Sequence, residues 1–148
     1  MPQFKNGDIF SVKSGVVLIT GNSFLKKDNS LVMGAGAALE LKVRVPLCDK
    51  IYGQMVKQTS GHLGIYGILV REFYYQPFGL FQTKTHYSHD SKLVLISMST
   101  DKLKKLALAN PDQSYNLNFP GIGCGRLPKE KVLPIIKTLP KNVTIWSR

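Results

Sequence analysis

Two glycine-rich strings, Gly34-Ala35-Gly36 and Gly121-Ile122-Gly123-Cys124-Gly125, each stand between a stretch that reads as strand and one that reads as helix. Glycine has no Cβ and accepts positive φ, so backbone N–H groups can turn inward and approach an oxyanion closely. A helix beginning just after such a turn adds its own unpaired N–H groups and the positive end of its dipole. One such string is also an ordinary turn. Two in one small chain predict a ligand with two phosphates held between them.

Side chains beyond the glycines offer further chemistry. Asp8 follows Gly7 near the end of the first strand. Its carboxylate could accept the exocyclic amine of an adenine, or simply bond its own backbone as a turn aspartate. Asn22, in Thr20-Gly-Asn-Ser23, could orient a ribose hydroxyl or a water, and a plain turn explains it equally well. Lys84 sits in Phe81-Gln-Thr-Lys-Thr-His86 at a strand end, where ligands of open α/β sheets bind. There it would neutralise phosphate or act as a nucleophile, unless it is a solvated surface lysine. His86 and His89 lie three apart without a third ligand nearby in sequence, so no metal site is expected. Cys124 lies inside the second string with no base adjacent in sequence and reads as a small residue tolerated between glycines.

These groups need a scaffold. Phe4 to Phe10 and the unbroken run Val16 to Thr20 read as strands, the second buried on both faces. A helical pattern runs from Met33, with Ala37, Ala38, Leu41 and Val45 on one face, until Pro46 stops it. Ile51 to Thr59 reads as a second helix. Ile65 to Val70 and Gly79 to Lys84 read as strands, with Tyr74-Tyr75-Gln-Pro-Phe between them. Ser91 to Asn110 carries the apolar stripe Leu93, Ile96, Leu103, Leu106 and Ala107 of a helix. Tyr115 to Phe119 is a strand, Pro128 opens a helix with Val132, Ile135 and Ile136, and Asn142 to Trp146 is a last strand. Alternating strands and helices predict one domain over 1–148, an α/β/α sandwich with a mixed sheet.

Composition narrows the partners. Twenty Lys and Arg against nine Asp and Glu give a net charge of +11, which favours an anionic partner. The basic residues are dispersed, so weak, unspecific nucleic-acid affinity is expected rather than sequence recognition. No apolar run approaches a membrane span, Met1-Pro-Gln-Phe-Lys lacks the apolar core of a signal peptide, and two isolated cysteines suggest no disulfide. A cytoplasmic monomer is the expectation, with no membrane partner.

Taken together, Gly7-Asp8-Ile9, Met33-Gly-Ala-Gly-Ala-Ala-Leu-Glu-Leu-Lys42 and Pro120-Gly-Ile-Gly-Cys-Gly-Arg-Leu127 resemble the macrodomain family, modules that bind ADP-ribose. The resemblance points to the branch of terminal ADP-ribose protein glycohydrolase and the antitoxin macrodomains that remove ADP-ribose from DNA. In that branch a Thr-Lys dipeptide supplies a catalytic lysine, and Thr83-Lys84 matches it. The resemblance implies adenine near Asp8 and Ile9. It places diphosphate between Met33, Gly34, Ala35, Gly36 and Ala37 on one side and Gly121, Ile122, Gly123, Cys124, Gly125 and Arg126 on the other. The distal ribose lies toward Asn22 and Lys84, and no cofactor is implied. Nucleophilic use of Lys84 requires the free amine, which burial beside cations such as Arg126 favours.

Two features depart from the pattern. The acid that glycohydrolase relatives carry just after Gly-Cys-Gly is replaced by Arg126-Leu127-Pro128, and Thr20-Gly-Asn-Ser23 only echoes the Asn-Ala-Ala-Asn of the larger hydrolytic branch. Three functions follow as expectations: an ADP-ribosyl hydrolase, a non-catalytic reader of ADP-ribose, or a basic nucleic-acid-binding module.

Overall fold

Val16 and Leu18 are buried in one apolar cluster, Val17 and Ile19 in another. Alternation of that kind puts the strand in the middle of a sheet covered by helices on both faces. The computed structural model describes residues 1–73 and 76–148. Its sheet contains β1 (Gln3–Asn6), β2 (Val16–Gly21), β3 (Ile68–Phe73), β4 (Gln76–Gln82), β5 (Tyr115–Asn118) and β6 (Val143–Ser147), in the order β1-β6-β5-β2-β4-β3. All pairings are parallel except β3 with β4, so the sheet is mixed.

Helices α1 (Gly36–Arg44) and α2 (Cys48–Thr59) cover one face through Leu41, Tyr52 and Val56. Helices α3 (Leu93–Ala109) and α4 (Lys129–Ile136) cover the other through Ile96, Leu103, Val132 and Ile136. The result is the three-layer α/β/α sandwich expected. Leu41, Val56, Ile96, Leu103, Val132 and Ile136 each contribute about 1.5–3 kcal/mol on burial.

Several boundaries differ from the sequence reading. The first strand stops at Asn6, because Gly7 takes φ +144° and the Asp8 side chain accepts a hydrogen bond from Phe10 N–H, starting a short 3-10 turn over Ile9–Ser11. The first helix starts at Gly36 rather than Met33, since Ala35 is still fully extended. β4 ends at Gln82, leaving Lys84 two residues beyond it, and β3 runs on to Phe73. The Tyr74-Tyr75 part of the expected link lies outside the described residues.

Because β1, β6, β5, β2 and β4 run parallel, their C-terminal ends meet on one edge of the sheet. Asn6 pairs with Ser147, Asn118 with Trp146, and Gly21 with Gln82. Both glycine strings leave from that edge.

Candidate functional site

A cavity of about 900 Å³ crosses this edge. Ile9, Asn22, Lys84, the segment Met33 to Ala37 and the segment Gly121 to Gly125 all line it. Three cations, Lys84, Lys129 and Arg148, and one carboxylate, Glu40, stand on its walls. A void of this size and sign suits an elongated, anionic small molecule.

The two glycine strings form its middle. Ala35 caps α1 with extended backbone and no side-chain hydrogen bond, so the first-turn N–H groups open toward the cavity. A Cβ built on Gly34 would meet nothing within 4 Å, and one on Gly36 would lie 3.8 Å from Cys124 Sγ. The strings therefore face each other. In the second, Gly123 takes φ +66° and its missing Cβ would also point into open space. Leu127 N–H donates to Gly121 O at 2.8 Å and Ser91 N–H to Gly125 O at 2.9 Å, which fixes this loop against the segment leading into α3. Backbone donors held this way meet an anion without rearranging.

Toward β4, Lys84 is half-buried, and its Nζ donates to His89 O at 3.1 Å and Tyr87 O at 3.4 Å. Those two acceptors leave one of the three ammonium donors for a ligand. The chain beneath it is set by Gln82, a fully buried residue. Its Oε1 accepts from Tyr66 and Gly67 N–H, and its Nε2 donates to Gly64 O and Lys84 O. Outside the lysine stand Phe24, His86, Tyr87 and His89, with the His86 and Tyr87 rings stacked 4.5 Å apart. Asn22 lines the cavity, yet both ends of its amide serve the loop. Oδ1 accepts from Phe24 N–H at 2.9 Å and Nδ2 donates to Val32 O at 3.1 Å. These bonds tie the end of β2 to Val32, two residues ahead of the first glycine string, and leave one amide N–H and one oxygen lone pair for the cavity.

Two expected residues are placed elsewhere. Arg126 does not line the cavity. Its left-handed backbone, φ +63°, carries the guanidinium out to Asp90 at 3.5 Å, and the side chain is 74% exposed. It is therefore no companion cation for Lys84. Asp8 does not line the cavity either, although Gly7 and Ile9 on both sides of it do. Its carboxylate takes Phe10 N–H and Arg148 Nη2, each at 2.9 Å. Both hydrogen bonds, Arg148's the stronger influence, hold this carboxyl below its usual titration range.

Sequence reasoning missed the residues that join distant ends. Asn118 Oδ1 accepts from Thr20 N–H at 2.9 Å and its Nδ2 donates to Thr20 Oγ1, tying β5 to β2 under the cavity. Lys129 stands 5.0 Å from the centre of the Phe119 ring, and Ser147 and Arg148 close the β6 side. Only Lys129 had a local signal, a basic residue at a helix start just after the second string. Among the described residues, no group of three or more His, Cys, Asp and Glu is arranged to hold a metal, and no helix is long and apolar enough to cross a membrane.

No protein-family model matches the chain, and no curated protein matches it. Solved structures do. The chain is similar to the macrodomain of Mycobacterium tuberculosis DarG at 22% identity and a TM-score of 0.76, covering 100% of this chain and 98% of that one. The macrodomain of Thermus aquaticus DarG is equally similar, at 22% identity and 0.76, covering 99% and 96%. Thermosipho africanus DarTG, solved in complex with ADP-ribose, shares 20% identity and a TM-score of 0.75. The match covers 95% of this chain and 39% of that longer one. At these identities the likeness establishes the fold.

Proposed function

We propose that this chain, a macrodomain by fold, binds ADP-ribose across the sheet edge and releases it from a modified macromolecule. The carrying observation is the pair of opposed glycine loops, Gly34–Gly36 and Gly121–Gly125, inside one cavity lined by three cations. Backbone N–H groups from both sides would hold the diphosphate. The adenosine would then lie toward β1 and β6, and the distal ribose toward β2, β4 and Lys84. Thermosipho africanus DarTG, solved in complex with ADP-ribose, supports the choice of ligand.

For release, Lys84 is the residue on which the reading depends. Its remaining N–H would donate to the leaving atom as the bond to the distal ribose C1 breaks, and the electron pair departs with that atom. A water would add its oxygen to C1, and the proton it loses would pass through solvent to the departed atom. A fixed donor that strengthens only as charge develops speeds the reaction without tightening the ground state. Lys84→Ala should therefore abolish release of ADP-ribose from modified DNA or protein while changing ADP-ribose affinity by less than about 1 kcal/mol. Full turnover by that variant would remove Lys84 from the chemistry.

A second reading, a non-catalytic reader, is favoured by the distribution of acids. The lining carboxylate, Glu40, is bound to Arg148, and Asp90 is drawn outward by Arg126, so neither is placed as a base for water. A wild-type protein that binds ADP-ribose and releases none from DNA or protein would establish it.

A further inference from the structure

Lys84 is held by a short turn of its own segment. Its Nζ donates to Tyr87 O at 3.4 Å and to His89 O at 3.1 Å, so both carbonyls come from the five residues that follow it. The chain is anchored on either side of that turn. Gln82 Nε2 donates to Lys84 O, and Lys92 N–H donates to Thr83 O at 2.9 Å. Between these anchors residues 85–90 belong to no helix or strand, and all but half-buried His86 are exposed. His86 supplies two of the hydrogen bonds that shape them. Its carbonyl accepts from His89 N–H at 3.1 Å, and its ring Nδ1 accepts from Ser88 N–H at 3.1 Å, with Ser88 Oγ 2.8 Å from the same nitrogen.

A backbone N–H only donates, so Nδ1 is the acceptor and the ring proton lies on Nε2. We propose that His86, in this neutral tautomer, is a positioning residue for Lys84, closing the turn whose carbonyls hold the ammonium at the cavity wall. The inference rests on the release reaction proposed above for Lys84. The ring reaches the N–H two residues on, as an asparagine does in an Asx turn. Its neighbours seat it. Tyr87 stacks on it at 4.5 Å, Phe24 from the segment after β2 meets it edge-on at 4.5 Å, and the His89 ring lies 4.7 Å away. A lysine end swings on a flexible stem, and carbonyls that fix it leave less to reorganise when charge develops on the leaving atom.

The same bond makes the turn sensitive to acid, because a proton on Nδ1 removes the acceptor of Ser88 N–H. Within the turn the titratable groups around His86 are His89, Tyr87 and the Lys84 ammonium, while Asp90 is engaged by Arg126 at 3.5 Å. The segment after β2 brings the uncharged Phe24. The test follows release of ADP-ribose from modified DNA or protein between about pH 8 and about pH 5, the range in which imidazoles change charge. It compares wild type, His86→Ala and His86→Asn, whose Oδ1 can accept from Ser88 N–H without titrating. Wild-type kcat should fall about tenfold toward the acid end while affinity for free ADP-ribose holds. His86→Ala should be about tenfold slower at the alkaline end, and His86→Asn should recover most of that rate and keep it in acid. NMR of the ligand-free protein gives a second readout: the Ser88 amide and Lys84 Cε resonances should move together with acid in wild type and stay in place in His86→Asn. An acid loss that persists in His86→Asn overturns the role of His86, as does full turnover by His86→Ala. A Ser88 amide unmoved by acid in wild type overturns it without any substrate. A wild type that binds ADP-ribose and releases none overturns the hydrolase reading instead, and the ligand-free resonances then decide the turn.

Discussion

The two glycine strings look interchangeable on the page and are built for different reasons. In the first, glycine keeps room: Gly34 has nothing within 4 Å of its missing Cβ and its backbone is not left-handed, while Gly36, at φ +57°, has nothing closer than Cys124 Sγ at 3.8 Å. In the second, two of three glycines are there for packing. A Cβ on Gly121 would lie 2.6 Å from Ile96 Cδ1, and one on Gly125 would collide with Ser91. Of these three, Gly123 combines open space with a left-handed backbone. The difference teaches that a glycine pattern signals a loop, while only its surroundings say whether a ligand or the protein needs the space.

Substitutions can break this contrast. Gly34→Val should have the largest effect on binding, costing ADP-ribose at least about 100-fold in affinity, or ~2.7 kcal/mol, with an unchanged melting temperature. Isothermal calorimetry beside a thermal melt checks both halves, and a destabilised protein would show that Gly34 serves the fold. Gly125→Ala should instead act on the fold. Forcing a methyl against Ser91 should lower unfolding free energy by about 1–3 kcal/mol in urea titrations. A variant of unchanged stability would mean that the second loop moves freely from α3. The smallest effect is expected at Gly123→Ala. Its left-handed backbone costs about 1 kcal/mol of stability, and the methyl trims affinity only a few-fold. A Gly123→Ala protein that loses all affinity would place the phosphate nearer the second loop than the first.

How much of this was legible in the sequence follows the range of the interactions. Val16 to Ile19 announced a central strand, because an unbroken apolar run needs cover on both faces. The helical stripe around Ile96 and Leu103 was as plain. Local conformation was harder. Asp8 ended its strand through a hydrogen bond two residues long, and Ala35 delayed the first helix by staying extended. Contacts across the sheet edge left no local trace at all. Arg148 meets Asp8 across 140 positions, and Asn118 meets Thr20 across 98. Arg126 misled for the opposite reason. Its place beside Gly125 suggested a wall of the cavity, but a left-handed φ sends its side chain to Asp90.

Everything turns on whether the space between the loops holds a diphosphate. Isothermal titration of the wild-type chain with free ADP-ribose measures that without any assumption about turnover. The expected result is one site per chain with a dissociation constant in the micromolar range, about −8 kcal/mol. No heat and no thermal shift at millimolar ADP-ribose would contradict the account.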